Sequence, residues 1–366
     1  MDFREKLKRQ RIYFDGGMGT MLQQKQAVLG EFPEMLNLTC PDLVEEIHRE
    51  YLAAGCDVIS ANPFGANSIK LAGCEKSVEE LVHAGIAAAK RAASSFEDKF
   101  VALDMGPLGQ LLVPMGTVTF EEAVNAFSVA AVAAEQAGAD LVIIETMSDS
   151  LEMKAAVCAV KENTSLPIAA SMTYAENGKT LTGGSPESVV ALLEGLGVDV
   201  IGYNCGSGLQ QAGEIASVYL AHASLPILIQ PNAGLPHTQD GKVVYLTRPH
   251  EFAEKQRLLA CSGVRLLGGC CGTTPEFMKE TIAACSELPF APCVPKTERV
   301  VSSYQQALTF DSGCTAIGGH IRPSFEDIRE AMLNNDIDTL VDEAFAQQDE
   351  GAEILCLCTD GDGIEQ

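Results

Sequence analysis

The chain is patterned by short apolar runs, each placed shortly after a glycine. Four times a helix-like stretch ends at a glycine, two residues follow, and an apolar run begins; the glycines are Gly55, Gly138, Gly197 and Gly263. Glycine suits a helix C-terminus because it adopts the left-handed conformation without a Cβ penalty. The runs that follow do not alternate with polar residues, which is typical of strands buried on both faces. The pattern therefore predicts a repeated αβ unit.

Eight apolar runs qualify as strands. Helices are predicted between them by start signals such as the capping box of Thr119 and Glu122. The predicted strands are Ile12–Phe14, Val58–Asn62, Val101–Asp104, Leu141–Glu145, Ile168–Thr173, Val200–Asn204, Ile227–Gln230 and Arg265–Gly268.

Strict alternation of strand and helix implies a parallel sheet, and eight units favour a closed α/β barrel, the (β/α)8 TIM barrel, over residues 1–287. The first strand is followed by Gly16, Gly17 and Gly19, but without the G-x-G-x-x-G spacing. A dinucleotide-binding fold is therefore the weaker alternative.

After residue 287 the alternation of predicted strands and helices stops. Residues 288–314 contain several prolines and little periodicity, as a linker does. Residues 315–366 predict a strand over Thr315–Ile321, one or two helices over Phe325–Gln348 and a second strand near Ile354. We expect a short βαβ-like C-terminal fragment, too small to close a second barrel, whose apolar strands the fragment alone leaves uncovered.

Composition narrows the classes of protein. Hydrophobic residues make up 46% of the 366 positions and charged residues 20%, the balance of a globular chain. A net charge of −25 argues against a nucleic-acid partner, which needs clustered Lys and Arg. No apolar run reaches the length of a membrane helix, and the charged N-terminus does not resemble a signal peptide. We therefore expect no membrane association and a cytoplasmic location.

Polar residues follow the predicted strands with regularity. Asp15 with Gly16 and Gly17 ends the first strand, Asn62 the second, Glu145 the fourth and Asn204 the sixth. In α/β barrels the functional residues gather at the carboxyl ends of the strands. These residues are therefore candidates for a substrate site, although each alone is also explained as a strand-end cap or turn.

Three of the thirteen cysteines belong to the same set of strand ends. Cys205 follows the sixth strand, and Cys270 and Cys271 follow the eighth. Three thiolates fit a zinc ion that keeps its fourth position open. Adjacent cysteines in a regular strand point to opposite faces, so shared binding requires an irregular backbone, which Gly268, Gly269 and Gly272 permit. The alternative is a set of inert or redox-active thiols.

Zinc held by three thiolates is net negative and therefore a poor generator of hydroxide. Such a zinc ion still binds a substrate thiol as the thiolate, which favours sulfur-to-carbon transfer over hydrolysis. The N–H groups near Gly16 and Gly17 suit a substrate carboxylate, and Asp15 or Glu145 suits an ammonium group. The alternative assigns the glycines to a tight turn and Glu145 to a structural hydrogen bond.

Several motifs together resemble the homocysteine S-methyltransferase family: FDGGMGTMLQ (14–23), NPFGAN (62–67), ETMSD (145–149), NCGSG (204–208) and GGCCGTTPEF (268–277). The resemblance covers residues 1–287 and implies a (β/α)8 barrel. It implies that Cys205, Cys270 and Cys271 bind Zn²⁺ and that the Asp15–Gly17 turn and Glu145 hold homocysteine. Asn62 and Asn204 lie in two of the matching motifs and are predicted to bind substrate with them.

Within this family the chain most resembles the N-terminal, homocysteine-binding module of cobalamin-dependent methionine synthases. Residues 315–366 resemble the start of the pterin-binding barrel of those enzymes, but Gly-His-Ile-Arg-Pro stands at 319–323 in place of Glu-Arg-Ile-Asn-Pro. We therefore predict no folate site in this fragment.

The chain has no D-x-H-x-x-G cobalamin motif. The resemblance therefore implies methylcobalamin on a separate corrinoid protein as the methyl donor. S-methylmethionine or S-adenosylmethionine is the alternative donor. A zinc-binding barrel that serves as a non-catalytic interaction module is the remaining reading.

Overall fold

The computed structural model describes residues 2–27, 30, 32–239, 242–310, 313–361 and 363–364. The chain divides into two compact units. Unit 1 comprises Met1–Thr297 with Val301–Leu308, and unit 2 comprises Glu298–Val300 with Thr309–Gln366. No helix among the described residues is both long and apolar enough to cross a membrane.

Unit 1 contains a parallel eight-stranded barrel, as predicted. Its strands are β1 (Ile12–Tyr13), β2 (Val58–Ser60), β3 (Phe100–Met105), β4 (Leu141–Met147), β5 (Ile168–Met172), β6 (Val200–Cys205), β7 (Ile227–Pro231) and, after a hairpin, β10 (Leu266–Leu267). Hydrogen-bonded neighbours follow the order β1-β10-β7-β6-β5-β4-β3-β2. A parallel bridge between Phe14 and Val58 joins the two ends of this order, so the sheet is a (β/α)8 barrel.

Helices connect the strands. They are α1 (Phe3–Arg9), α2 (Met18–Gln24), α3 (Leu36–Thr39), α4 (Pro41–Ala54), α5 (Val78–Ala93), α6 (Phe120–Gln136), α7 (Ser150–Asn163), α8 (Pro186–Leu196), α9 (Leu209–His222), α10 (Pro249–Ser262) and α11 (Pro275–Cys285). The capping box of Thr119 and Glu122 begins α6, as predicted. Gly55, Gly197 and Gly263 end α4, α8 and α10 in the left-handed conformation.

The barrel interior is apolar at its amino-terminal end. Phe3 and Leu7 of α1 pack among side chains from all eight strands, and the Phe3 ring meets the Phe100 ring edge to face at 5.6 Å. Lys6 of the same helix makes a buried ion pair with Asp57 at 2.8 Å. Helix α1 therefore closes this end of the barrel. The apolar pattern of the sequence does not predict α1.

The structure also adds a hairpin that the sequence reading missed, formed by antiparallel strands β8 (Pro236–Gln239) and β9 (Lys242–Tyr245). It follows β7, at the carboxyl end of the barrel. The predicted eighth strand, Arg265–Gly268, is shorter in the structure, since only Leu266–Leu267 pair as a strand. Gly268 still donates its N–H to the Ile229 carbonyl at 3.1 Å, and a Cβ at this position would lie 2.8 Å from the Gln230 side chain, so the close approach suits glycine.

After α11 in sequence, β11 (Val300–Ser302) pairs with β12 (Ala307–Thr309) in a two-stranded sheet. In unit 2, strand β13 (Ile317–Gly318) pairs in parallel with β14 (Ile354–Leu355), and helices α12 (Glu326–Leu333) and α13 (Ile337–Asp349) lie between them in sequence. The βαβ-like order is as predicted, although β13 is shorter than the predicted Thr315–Ile321. Assignment of residues 315–366 to a pterin-binding-like fragment stays a prediction.

Candidate active site

Three thiols meet at the carboxyl end of the barrel. Cys205 ends β6, and Cys270 and Cys271 follow β10 by three and four residues. The three sulfur atoms lie within 4.8 Å of one another, and the Sγ atoms of Cys205 and Cys270 are 2.8 Å apart. All three are free thiols. The structure therefore brings together the three cysteines that the sequence singled out.

The backbone around these thiols is irregular, as the adjacent pair requires. Cys205 itself has a positive φ of 58°, and Gly272 has a φ of 82°. The N–H of Cys270 donates to the carbonyl of Pro231, and the N–H of Cys271 donates to the Asn232 side chain at 3.1 Å. These bonds tie the Cys270–Cys271 turn to the end of β7, and the turn aims both sulfur atoms at Cys205.

The thiols share their protons unequally. Hydrogen bonds from Cys205 and Cys270 lower the pKa of the Cys271 thiol to about 3. Hydrogen bonds to Cys205 and Cys271, together with burial, raise the pKa of Cys270 well above its usual value. The contact among the three thiols therefore favours a thiolate within the cluster, which suits it to a cation.

Asn204 connects the thiols to strand β4. Its side chain is fully buried, and its Nδ2 donates to the Thr146 hydroxyl at 2.8 Å and lies 3.7 Å and 3.9 Å from the sulfur atoms of Cys205 and Cys270. Its Oδ1 accepts from the Thr146 N–H at 2.8 Å and from the Ser171 hydroxyl at 2.9 Å. Both ends of the amide are therefore engaged by the protein.

Glu145 lies beside Thr146 in an irregular part of β4. Pairing between β4 and β5 shifts between Ile144 and Met147, and Thr146 has a φ of 62°. Burial, then the charges of Asp15 and Cys271, raise the pKa of Glu145 to about 8. Glu145 therefore belongs to the same charged environment as the Asp15 turn and the thiols.

The turn after β1 is fixed against the thiol-bearing turn. Asp15 is 3% exposed, and its two carboxylate oxygens accept from the N–H and the hydroxyl of Ser60 at 2.8 and 3.0 Å. Burial raises the pKa of Asp15 to about 7. The Gly17 N–H donates to the Thr273 carbonyl at 3.2 Å, and Gly16 lies against the Thr273 side chain. Gly16 and Gly17, two of the predicted substrate residues, thus contact the turn that carries Cys270 and Cys271.

Asn62 follows β2 and bonds to a neighbouring helix. Its Nδ2 donates to Asn37 Oδ1 at 3.1 Å, and its carbonyl accepts from Asn37 Nδ2 at 2.8 Å. The pair fixes α3 against the end of β2. The structure thus gives Asn62 a clear packing contact, while its contact with substrate stays a prediction.

Two residues near the thiols were not chosen from the sequence as site residues. Tyr245 of β9 places its ring against Gly272, and its hydroxyl bonds to Cys271. Asn232 holds the Cys271 N–H and donates to the Gly206 carbonyl at 3.1 Å. Asn232 lies directly after β7, in the stretch Pro-Asn-Ala-Gly-Leu-Pro at 231–236. Its place at a strand end could have identified it as a site residue. Tyr245 had no such signal, because its position depends on a hairpin that the apolar pattern does not show.

The fold and the thiol cluster define a (β/α)8 barrel with a metal-type site at its mouth. Residues 12–285 match the family model described as homocysteine S-methyltransferase. The chain therefore belongs to the homocysteine S-methyltransferase family.

Relatives of known identity agree. The chain is 34% identical to a methionine synthase of Mycobacterium tuberculosis (strain ATCC 25618 / H37Rv) over 94% of this chain and 31% of the relative. It is 33% identical to a methionine synthase of Mycobacterium leprae (strain TN) over 98% of this chain and 32% of the relative. The chain thus spans about a third of the length of these relatives.

Solved structures resemble the fold. The homocysteine methyltransferase MmuM from Escherichia coli, in its oxidized form, superposes with a TM-score of 0.63 at 22% identity, over 75% of this chain and 96% of that one. Its metallated form gives a TM-score of 0.62 at 21% identity over the same shares. At this identity the likeness supports the barrel fold alone.

Proposed function

We propose that this chain is a zinc-dependent homocysteine S-methyltransferase that forms methionine. The observation that carries the proposal is the meeting of the Cys205, Cys270 and Cys271 sulfur atoms within 4.8 Å at the mouth of a barrel of this family. The same mouth holds Asp15 and Glu145, the two carboxylates proposed to bind substrate.

The donor set fits zinc. Three sulfur ligands with a fourth position left open are typical of zinc sites that act on a substrate. The Asn204 N–H near two of the sulfur atoms is the kind of outer contact that orients thiolate ligands. When bound, a zinc ion would supply a site at which the homocysteine sulfur is a thiolate at neutral pH.

The chain's own residues would hold the amino-acid end of homocysteine. Glu145 and Asp15 suit its ammonium group, and the backbone at Gly16 and Gly17 suits its carboxylate, although the Gly17 N–H is already engaged by Thr273. We propose that Asn62 and Asn204 support this pocket. Because both ends of the Asn204 amide are engaged, its part is to fix Thr146 and hence Glu145.

The reaction needs no general base in the protein. A bond forms between the homocysteine sulfur and the methyl carbon, and the bond between that carbon and its donor breaks with its electron pair retained by the donor. The thiol proton is released before the methyl group moves. The protein accelerates the reaction by proximity and orientation: it holds the homocysteine sulfur in line with the methyl carbon and its donor.

We propose methylcobalamin on a separate corrinoid protein as the donor, supported by the similarity to methionine synthases. S-methylmethionine and S-adenosylmethionine are the alternatives. Incubation of the zinc-loaded chain and homocysteine with each donor in turn separates them, with methionine measured by mass spectrometry. Methionine from the methylated corrinoid protein alone is the expected result, whereas methionine from either sulfonium donor would replace this proposal.

A non-catalytic zinc-binding barrel is the remaining alternative. It predicts that the chain binds zinc but not homocysteine. Isothermal titration of homocysteine into the zinc-loaded chain distinguishes the two, because only the enzyme reading predicts binding.

A further inference from the structure

Below the mouth of the barrel, two polar side chains, Asp104 and Gln230, lie in the interior and form what we call the polar floor. The Asp104 carboxylate has no part in the reaction proposed above. Phe100 and Ala102 of β3 lie in the interior apolar cluster, so Asp104, two residues further along, faces the same interior. Leu141 and Ile143 place Glu145 on the interior side of the neighbouring strand in the same way. Asp104 thus lies below the mouth, on the strand beside Glu145.

Asp104 lacks a partner for a buried charge. Its Oδ1 is buried and has no hydrogen-bond partner among the described residues. By contrast, both oxygens of the Asp15 carboxylate accept hydrogen bonds from Ser60. Burial, then the charges of Glu145 and Asp15, raise the pKa of Asp104 well above its usual value. A buried carboxylate in this state is stabilised by any cation that joins it.

A second polar group in the interior also lacks a partner. Gln230 of β7 is 2% exposed, and its Oε1 has no hydrogen-bond partner in the described part of the chain. Gln230 follows Leu228 by two residues, and Leu228 belongs to the interior cluster. The polar floor therefore contains two acceptor atoms without partners, Asp104 Oδ1 on β3 and Gln230 Oε1 on β7. A ligand with N–H donors would satisfy them.

An ammonium group fits this floor better than a second metal ion. Across the described ranges, the thiols of Cys205, Cys270 and Cys271 form the one set of three or more His, Cys, Asp and Glu side chains close enough to share a metal. No salt bridge links Asp15, Asp104 or Glu145 to a lysine, arginine or histidine among the residues described. The charge that is missing is thus a positive one carried by the ligand.

We propose that Asp104 is a specificity-determining residue that binds the α-ammonium group of the amino-acid substrate together with Glu145. This proposal rests on the proposed function, because it assumes that the substrate is an amino acid whose thiol lies at Cys205, Cys270 and Cys271. Asp104 then selects an α-amino thiol over a thiol acid of the same length.

The test compares two ligands that differ in the ammonium group alone, L-homocysteine and 4-mercaptobutanoate. Each is titrated calorimetrically into the zinc-loaded full-length wild type and into Asp104→Asn, which keeps the shape of the side chain and removes its charge. Asp140→Asn serves as the control, because Asp140 precedes β4 at the opposite end of the barrel and pairs with Lys90 at 2.7 Å.

We expect Asp104→Asn to weaken L-homocysteine binding by about 10- to 100-fold, the usual effect of removing a charged hydrogen-bond partner. Binding of 4-mercaptobutanoate should stay within about threefold of the wild type, since no ammonium group is lost. Asp140→Asn should change neither affinity.

Two results overturn the proposal. Equal weakening of both ligands would assign Asp104 a purely structural part, and unchanged L-homocysteine binding would assign it none. A wild type that binds neither ligand would instead refute the proposed function, and the role of Asp104 with it.

Discussion

At the residue scale, the site depends on side chains that connect one barrel strand with another. Asn204 on β6 holds Thr146 on β4 and lies beside two of the three sulfur atoms. An amide in this position donates to thiolates without adding charge. It therefore holds both the sulfur ligands and the strained backbone at Thr146, directly after Glu145.

Replacement of Asn204 by alanine tests this connection. We expect Asn204→Ala to weaken zinc binding by about 10- to 100-fold, as loss of an outer-sphere contact does. Ser171→Ala is the matched control, because it removes one hydrogen bond to Asn204 and leaves the amide beside the sulfur atoms. Competition for zinc with a chromophoric chelator measures both. Equal zinc affinity in Asn204→Ala and the wild type would contradict the role.

Gly272 offers a second prediction at this scale. Its φ is 82° and a Cβ would lie 2.3 Å from the Tyr245 ring, whereas Gly138 has a φ of 85° and open space around it. Both alanine variants bear the conformational cost of about 1 kcal/mol. Only Gly272→Ala must also displace Tyr245, so it should unfold at lower denaturant concentration than Gly138→Ala and bind zinc less tightly. Equal stability of the two would show that Tyr245 moves freely.

At the element scale, the strands were predictable and the short connections were not. Each barrel strand begins with apolar residues, so the apolar pattern of the sequence locates it. Helix α1 has seven residues, five of them charged, and it is held in place because Phe3 and Leu7 reach the barrel interior, which is a tertiary contact. The hairpin of β8 and β9 is likewise held by packing of Tyr245.

The same limit applies to the site. The sequence predicted that Cys205, Cys270 and Cys271 follow the sixth and eighth strands, which lie one strand apart in a barrel of consecutive parallel strands. It could not show which polar side chains already have partners. Asn62 bonds to Asn37, and Asp104 Oδ1 has no hydrogen-bond partner in the described part of the chain; both facts depend on side-chain geometry that the sequence pattern does not show.

Helix α7 carries a pH-sensitive group outside the thiol site. Burial raises the pKa of Glu152 to about 7, while the Leu108 N–H donates to Glu152 Oε1 at 2.6 Å. The folded protein therefore holds a proton on Glu152 that the unfolded chain releases above about pH 4.5. The stability contributed at low pH is lost as pH rises from about 4.5 through about 7.

Glu152→Gln should remove this dependence, because the amide keeps an oxygen for Leu108 and does not ionise. We expect the variant to match the wild type near pH 4.5 and to exceed it by up to about 3 kcal/mol at pH 8. Urea unfolding at the two pH values measures the difference. A gap that is constant with pH would contradict the raised pKa.

At the scale of the whole molecule, the chain that follows the barrel is divided between the two compact units. Residues 301–308 belong to unit 1, where the Tyr304 hydroxyl bonds to the Asp149 carboxylate and the Ser185 N–H donates to the Gln305 carbonyl at 3.1 Å. Asp149 and Ser185 are the N-caps of α7 and α8. This segment thus fastens the starts of two barrel helices.

Unit 2 bears the uncovered strands that the sequence predicted. Ile317 of β13 is 57% exposed and Leu357, after β14, is 65% exposed. Contiguous exposed apolar strands are association surfaces.

Two truncations separate these parts. A chain ending at Leu308 keeps the segment that contacts Asp149 and Ser185, and a chain ending at Thr297 loses it. We expect the longer chain to retain the thermal midpoint of the barrel and the shorter one to melt several degrees lower, since two hydrogen bonds at helix caps are lost. Tyr304→Phe in the full chain is the control for the hydroxyl alone. Equal midpoints for the two truncations would leave the segment without a stabilising role.

The central claim is that the three thiols form a zinc site at which homocysteine binds. Calorimetric titration of homocysteine into the zinc-loaded and the zinc-free chain tests it most directly. We predict binding of one homocysteine per zinc-loaded chain, no measurable binding to the zinc-free chain, and loss of binding in Cys271→Ala. Equal affinity with and without zinc, or no binding to a chain that carries one zinc ion, would contradict the account.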